Sequence, residues 1–286
     1  MSIKVDNVSF TYMKKTPFQV NALKNISFEI QDGDFVGIVG HTGSGKSTLI
    51  QIISGLLKEY EGNVVIDGID YNDKKADRTR LRRLVGVVFQ YPEYQLFEET
   101  VEKDIAFGPK KLGLDEKEAE ERVKVAMDLV GLDYDMYRDV SPFQLSGGQK
   151  RKVAIAGVLA MEPQILILDE PIAGLDPQGR ESFLELIKSL NECGMTILMV
   201  SHNMDNLVEY AKRIIVLKDG ELFMDGTPAE VFADKEKVAE ASLNLPEVAS
   251  FCDRLREKGF DVPDSIIRYE QLKNYIISTV GGSYDD

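Results

Sequence analysis

The chain has 286 residues, 43% hydrophobic and 29% charged, and its 48 acidic against 34 basic side chains give a formal net charge of −14. That length suits one large domain or a domain with an appendage, and the acidity argues against a nucleic-acid partner held by a basic face. The longest apolar run, residues 153–161, is far short of the roughly 20 residues that cross a bilayer, no signal peptide is visible, and Cys193 and Cys252 have no metal spacing and read as free thiols.

In chain order, Ile3, Val5, Val8 and Phe10, then Leu23, Ile26, Phe28 and Ile30, alternate in strand fashion and predict an N-terminal antiparallel β layer. Residues 35–39 form a buried-strand run and lead into Gly40-His41-Thr42-Gly43-Ser44-Gly45-Lys46-Ser47, a G-x-x-x-x-G-K-S phosphate-binding loop of a nucleoside-triphosphatase. Its glycines let consecutive backbone N–H groups turn inward as an anion cradle. Lys46 supplies positive charge to the β- and γ-phosphates, and the Ser47 hydroxyl suits Mg2+. The helix predicted over 47–57, beginning with Ser47 and Thr48, points its positive end at the same phosphates.

Further strands are expected at 63–66 and 85–89. Residues 92–145 lose strand character, and Ala119, Val123, Ala126, Met127 and Val130 recur at helical spacing, so this stretch reads as a helical insertion. A helix follows from Ser146. The run 164–168 reads as a central parallel strand ending in Asp169 and Glu170. Strand alternation sends these adjacent acids to opposite sides, so they cannot share a role. Asp169 suits the Mg2+ site and Glu170 the general base that polarises the attacking water. A helix over 177–193, a buried strand over 196–200 and a hairpin around Asp219-Gly220 complete the alternation. Two amphipathic helices, 246–258 and 264–278, form a C-terminal appendage. Its apolar Val248, Phe251, Leu255, Ile266 and Ile267 pack either on their own domain or on a partner.

Leu145-Ser146-Gly147-Gly148-Gln149 heads the helix just upstream of the Asp169-Glu170 strand. Taken alone it is a serine N-cap and turn. With the phosphate loop before it and the acidic strand after it, the chain resembles the ATP-binding cassette ATPases over about residues 3–235. That resemblance implies an α/β P-loop core with a mixed, largely parallel sheet. It also implies that residues 145–149 are the signature contacting the γ-phosphate of ATP held by a facing subunit, so that each ATP lies between two chains. It further implies that Gln90 sits near Mg2+ and the attacking water, that Asp176 in Ala173-Gly174-Leu175-Asp176 lies at the dimer interface, that His202 contacts the γ-phosphate, and that Tyr12 stacks on adenine. His41 fills a variable loop position and offers its backbone. Ile172 departs from the small residue usual there, which bears on rate tuning and not on competence.

The segment after Gln90 looks like the energy-coupling factor transporters of prokaryotes, and more like the second ATPase of their pair. It reads Tyr91-Pro92-Glu93-Tyr94-Gln95-Leu96-Phe97, with Phe107-Gly108-Pro109 further on and a Thr16-Pro17-Phe18 insertion upstream. The resemblance implies ATP hydrolysis with Mg2+ that powers uptake of a vitamin or transition-metal ion. The implied partners are a second cassette ATPase, a transmembrane coupling protein and a small membrane-embedded substrate-binding protein. The implied location is peripheral, on the cytoplasmic face of the cell membrane. It also implies a nucleotide-binding domain over 1–235, with its helical subdomain at about 92–160, and a dimer-holding appendage over 236–286. From the residues themselves, Tyr91, Tyr94, Leu96 and Phe97 are expected to be exposed for a neighbouring membrane protein, the alternative for each being that it packs inside the insertion. The competing readings are a soluble repair or translation ATPase, which would usually carry a second cassette, long coiled coil or basic arm, and an ATP-holding regulator, which would usually lose Glu170 or His202.

Overall fold

A computed structural model describes residues 2–73 and 75–280. Its first sheet contains β1 (Ile3–Tyr12) and β2 (Val20–Ile30), joined by β4 (Glu61–Ile66) and β5 (Ile69–Asp70), in the antiparallel order β2-β1-β4-β5. Ile3 faces Ile30 and Val5 faces Phe28 in the β1/β2 register. This register puts all eight alternating apolar residues of the two strands in the core.

The second sheet runs β10-β9-β3-β8-β7-β6. It comprises β3 (Phe35–Val39), β6 (Val85–Val88), β7 (Ile165–Asp169), β8 (Thr196–Val200), β9 (Arg213–Lys218) and β10 (Glu221–Gly226). All pairings are parallel except β9 with β10. Its central strands read as continuous apolar runs because both faces are covered. Val36, Ile38, Ile165, Ile167, Leu198, Val200, Ile215 and Leu217 join a core against the antiparallel layer, α1 (Lys46–Ile53) and α2 (Arg78–Leu84). Phe35, Val39, Leu166, Leu168, Ile197, Met199, Ile214 and Val216 join a second core on the other face. That core is packed by α3 (Val101–Lys111), α4 (Glu116–Leu129), α6 (Gly147–Leu159), α7 (Pro177–Glu192), α8 (Met204–Tyr210) and α9 (Pro228–Ala233), with the short α5 (Tyr134–Tyr137) at its rim. The strand period of two thus sorts each run into two cores.

Helix ends follow local chemistry. Helix α1 stops at Ile53, short of the expected 57, because Gly55 takes φ 72° and the Leu56 N–H turns back to the Gln51 carbonyl at 2.9 Å. Asp115 with Glu118 caps α4, and Thr227 with Glu230 caps α9, each as a reciprocal pair. Helix α10 (Lys235–Glu240), which the sequence reading lacked, buries Val238 in the helix-side core. Helix α11 (Glu247–Glu257) matches its expected span, whereas α12 (Tyr269–Val280) starts five residues late. The reason is Gln271, whose side-chain oxygen accepts the N–H groups of both Ile267 and Arg268 at 3.0 Å and holds the preceding residues in a turn. Ala249 and Ile267 pack on the helix-side core, and Cys252, Val262, Ile266 and Leu272 form a small core of their own. Phe251 is exposed.

Candidate functional site

Strands β3, β6, β7 and β8 are parallel and end on the same edge of the sheet, and the phosphate loop, Gln90, Asp169-Glu170 and His202 lie at these four ends. Ligands of open parallel sheets gather at such carboxyl ends. In the loop, Gly40 has φ 151°, and a Cβ there would lie 2.2 Å from the Leu217 carbonyl oxygen. Gly43, at φ 86°, faces open space on its Cβ side, so its backbone is free to meet an anion closely. Gly220 of the β9–β10 turn braces the loop by donating its N–H to the Ser44 carbonyl at 3.2 Å. The sequence predicts only a hairpin turn at this point, because the contact joins segments far apart in the chain.

Lys46 is folded into its own loop. Its ammonium donates to the Gly40 carbonyl at 2.7 Å and the His41 carbonyl at 3.0 Å. Burial lowers its pKa, against the raising pull of Glu170 and then Asp169. Ser44 is fully buried, and its Oγ lacks a hydrogen-bond partner. Ser47 is exposed, while Thr48 is buried and its Oγ1 lies 3.1 Å from the Tyr12 hydroxyl. Tyr12 is 39% exposed, and its ring leans edge-on against Phe10 at 4.7 Å. An exposed aromatic ring held beside the loop can stack on a base. The His41 Nδ1 lies 2.9 Å from the Thr42 carbonyl and its Nε2 3.5 Å from Asp219, so this side chain is occupied within the loop and its carbonyl serves Lys46.

The acidic pair departs from the strand expectation. Asp169 is the last residue of β7, but Glu170 takes φ 48°, a left-handed conformation uncommon for a side chain of its size. Strand alternation therefore ends at Asp169, and the charges of both carboxylates bear on Lys46. Burial, then the Asp169 charge, pushes the Glu170 carboxyl up to about 7, with Lys46 opposing. Burial raises Asp169 too, against Lys46 and His202. The Glu170 Oε1 is buried without a hydrogen bond, and the His202 Nε2 stands 3.5 Å from it. Burial, then Lys46, lowers the His202 pKa, against the raising pull of Asp169. Gln90 is exposed at the end of β6.

The signature segment and Asp176 are largely exposed. Leu145 is buried, but Ser146, Gly147 and Gly148 are exposed, and a Cβ on either glycine would touch nothing within 4 Å. Ser146 caps α6. Its Oγ accepts the Gln149 N–H at 3.3 Å, the Gln149 Oε1 accepts the Ser146 N–H at 3.0 Å, and the Gln149 Nε2 donates to the Tyr137 hydroxyl at 2.9 Å. Asp176 is exposed and caps α7 by accepting the Gly179 N–H at 2.7 Å, a local task the sequence reading did not assign. Ile172 is buried in the helix-side core. Of the four residues expected to be exposed after Gln90, Tyr91, Tyr94 and Phe97 are, but Leu96 is 8% exposed and belongs to the core. Arg151, which stands between Lys150 and Lys152 and carries no local signal in the sequence, is 4% exposed.

The donors fit a magnesium nucleotide. Ser47 and Asp169 offer hard oxygen ligands, and the neighbouring Glu170 has a buried oxygen in want of a partner. Among the described residues no cluster of three or more His, Cys, Asp or Glu forms a metal cage. Mg2+ characteristically takes one or two protein oxygens and completes its sphere with phosphate and water.

The ABC transporter family profile matches residues 23–173. The energy-coupling factor transporter ATP-binding protein EcfA2 of Clostridium perfringens is 53% identical over 281 residues, which cover 98% of this chain and 99% of that one. Its counterpart from Clostridioides difficile is 53% identical over 284 residues, 99% of each chain. Among solved structures, cbiO1 from Clostridium perfringens, part of the ABC transporter complex cbiONQ, superposes with a TM-score of 0.71 at 39% identity, covering 88% of this chain and 98% of that one. The ATP-binding cassette MJ0796, a dimer in a post-hydrolysis state bound to ADP and Pi, superposes at 0.70 with 36% identity over 79% of this chain and 98% of that one. Among the described residues no helix is long and apolar enough to cross a membrane.

Proposed function

The chain belongs to the ABC transporter family, among the ATP-binding proteins of energy-coupling factor transporters, and is an ATPase by that membership; from that premise we propose that it hydrolyses magnesium ATP at composite sites shared with a second cassette, so powering uptake of a vitamin or transition-metal ion. The observation that carries the catalytic part is the buried, unpartnered Glu170 carboxylate oxygen beside His202, at the same sheet edge as Lys46.

In this reading the loop amides and Lys46 bind the β- and γ-phosphates. Lys46 exchanges its two carbonyl acceptors for phosphate oxygens. Ser47, Asp169 and Gln90 would hold Mg2+, which when bound neutralises phosphate charge. Tyr12 takes the adenine. Glu170 accepts a proton from the attacking water, and a carboxylate that titrates near the working pH is well matched to that transfer. His202 holds its ring nitrogen toward the γ-phosphate. The exposed Ser146 hydroxyl and the N–H groups of Gly147 and Gly148 reach the nucleotide of the facing subunit, with Asp176 beside them. A helix N-terminus presented to solvent with no atom over its glycines suits an anion brought by another chain.

The partners we propose are a second cassette ATPase, a transmembrane coupling protein and a small membrane-embedded substrate binder, with this chain peripheral on the cytoplasmic face. Residues 1–235 serve as the nucleotide-binding domain, with 92–160 as its helical part, and 236–286 as the appendage at the dimer contact. A groove of about 400 Å³ beside Gln95, Phe107 and Lys111, next to exposed Tyr94 and Phe97, offers the coupling protein a seat that moves with Gln90. Turnover of the assembled complex with Glu170→Gln tests the catalytic part. Loss of hydrolysis with ATP still bound is expected, and wild-type turnover would remove Glu170 from the role.

A further inference from the structure

The signature helix carries a buried guanidinium that ties together the two segments following Gln90 and Glu170. On α6, the Arg151 Nε donates to Glu93 Oε2 at 3.1 Å, and its Nη1 donates to the Ala173 carbonyl at 2.8 Å. The Tyr91 ring lies 5.9 Å from its Cζ. Tyr91 and Glu93 form the turn that follows Gln90. Ala173 lies in the turn after Glu170 and donates its own N–H to the Glu170 carbonyl at 3.2 Å. A single side chain therefore spans the Gln90 loop, the Glu170 turn and the helix capped by Ser146.

Stability alone gives a poor account of this group. A buried ion pair recovers little beyond the cost of taking its charges out of water, and an apolar side chain of similar volume commonly does as well. The bridge is also incompletely satisfied, because the Arg151 Nη2 is buried without an acceptor. A guanidinium does offer what an apolar chain or a lysine does not, a rigid fork that fixes two acceptors at a set angle.

We propose that Arg151, together with Glu93, is a positioning residue for hydrolysis. It sets the Gln90 loop against the Glu170 turn and touches no substrate. The inference rests on the roles given above to Gln90 and Glu170. Misplacing reacting groups by about an ångström costs on the order of 10²-fold in rate without weakening ground-state binding.

The test uses the assembled transporter for turnover and the full-length chain for equilibrium ATP binding and melting. Arg151→Met should lower kcat by about 10²-fold and Glu93→Gln by about 10-fold, with KM and ATP affinity within about 3-fold of wild type. Arg151→Lys, a point charge in place of a fork, should stay below about a tenth of wild-type kcat. The double variant should be no slower than Arg151→Met alone, as expected of one shared interaction. Wild-type kcat in a folded Arg151→Met protein would overturn the proposal, as would a kcat loss matched by an equal loss of ATP affinity. If Arg151→Met does not fold, the near-isosteric Glu93→Gln decides alone, and wild-type kcat there overturns it. Glu170→Gln in the same assay separates the two readings. If it hydrolyses ATP normally, the catalytic assignment falls; if it is inactive while the Arg151 variants are normal, only the positioning role falls.

Discussion

Glu170 should be a liability to the empty protein, and Glu170→Gln should make that measurable. The folded carboxyl titrates near 7 against its ordinary 4.5, because burial and then the Asp169 charge disfavour the ionised form. The folded state therefore holds this proton more tightly than the unfolded chain. The penalty is absent well below pH 4.5, grows between 4.5 and 7, and is complete above 7. At about 1.4 kcal/mol per tenfold difference, ionised Glu170 costs about 3 kcal/mol at pH 8 and under about 1 kcal/mol at pH 5. Glutamine keeps the shape and the left-handed backbone but carries no charge. With about 3 °C of melting temperature per kcal/mol for a chain of this size, the variant should melt roughly 5–10 °C above wild type at pH 8, and the gap should narrow to about 2 °C at pH 5. The assay is calorimetric melting of the nucleotide-free chain in chelator at both pH values. An equal or lower melting temperature for the variant at pH 8, or a gap independent of pH, would refute the electrostatic account of the site.

Lys46→Ala should weaken equilibrium ATP binding to the isolated chain by at least about 10-fold, since it removes the cation aimed at the phosphates; unchanged affinity would argue that the loop does not hold them. Ser146→Ala should lower turnover of the assembled transporter yet leave ATP binding to the isolated chain intact, at a folding cost of about 1 kcal/mol for the lost helix cap; weakened binding in the isolated chain would put the signature in the wrong site. The paired change Tyr94→Ser and Phe97→Ser, at side chains 83% and 57% exposed, should abolish co-purification with membrane subunits without changing ATP affinity. Retention of those subunits would move the docking surface elsewhere.

Short-range signals carried much of what could be read. The phosphate loop is legible because the loop conformation needs glycine at fixed positions, and Gly40, Gly43 and Gly45 do adopt positive φ. The two-layer core is legible because alternation in β1 and β2 and unbroken apolar runs in β3, β7 and β8 report how many faces are covered. Helix α9 carries an equally local signal, since Thr227-Pro228-Ala229-Glu230 is a capping box with proline at the first helical position.

The sequence by itself determined which residue types stand at the strand ends and in what order, because backbone conformation and hydrophobic period act over a few neighbours. The tertiary structure alone decided what surrounds them. It turned Glu170 out of strand alternation and took water from its carboxylate. It buried Leu96 in the helix-side core while leaving Tyr94 and Phe97 in solvent. It also drew Arg151, between two lysines in the sequence, into contact with Glu93 and Ala173. Desolvation and long-range hydrogen bonding depend on segments far apart in the chain meeting in space, and no local pattern encodes that meeting.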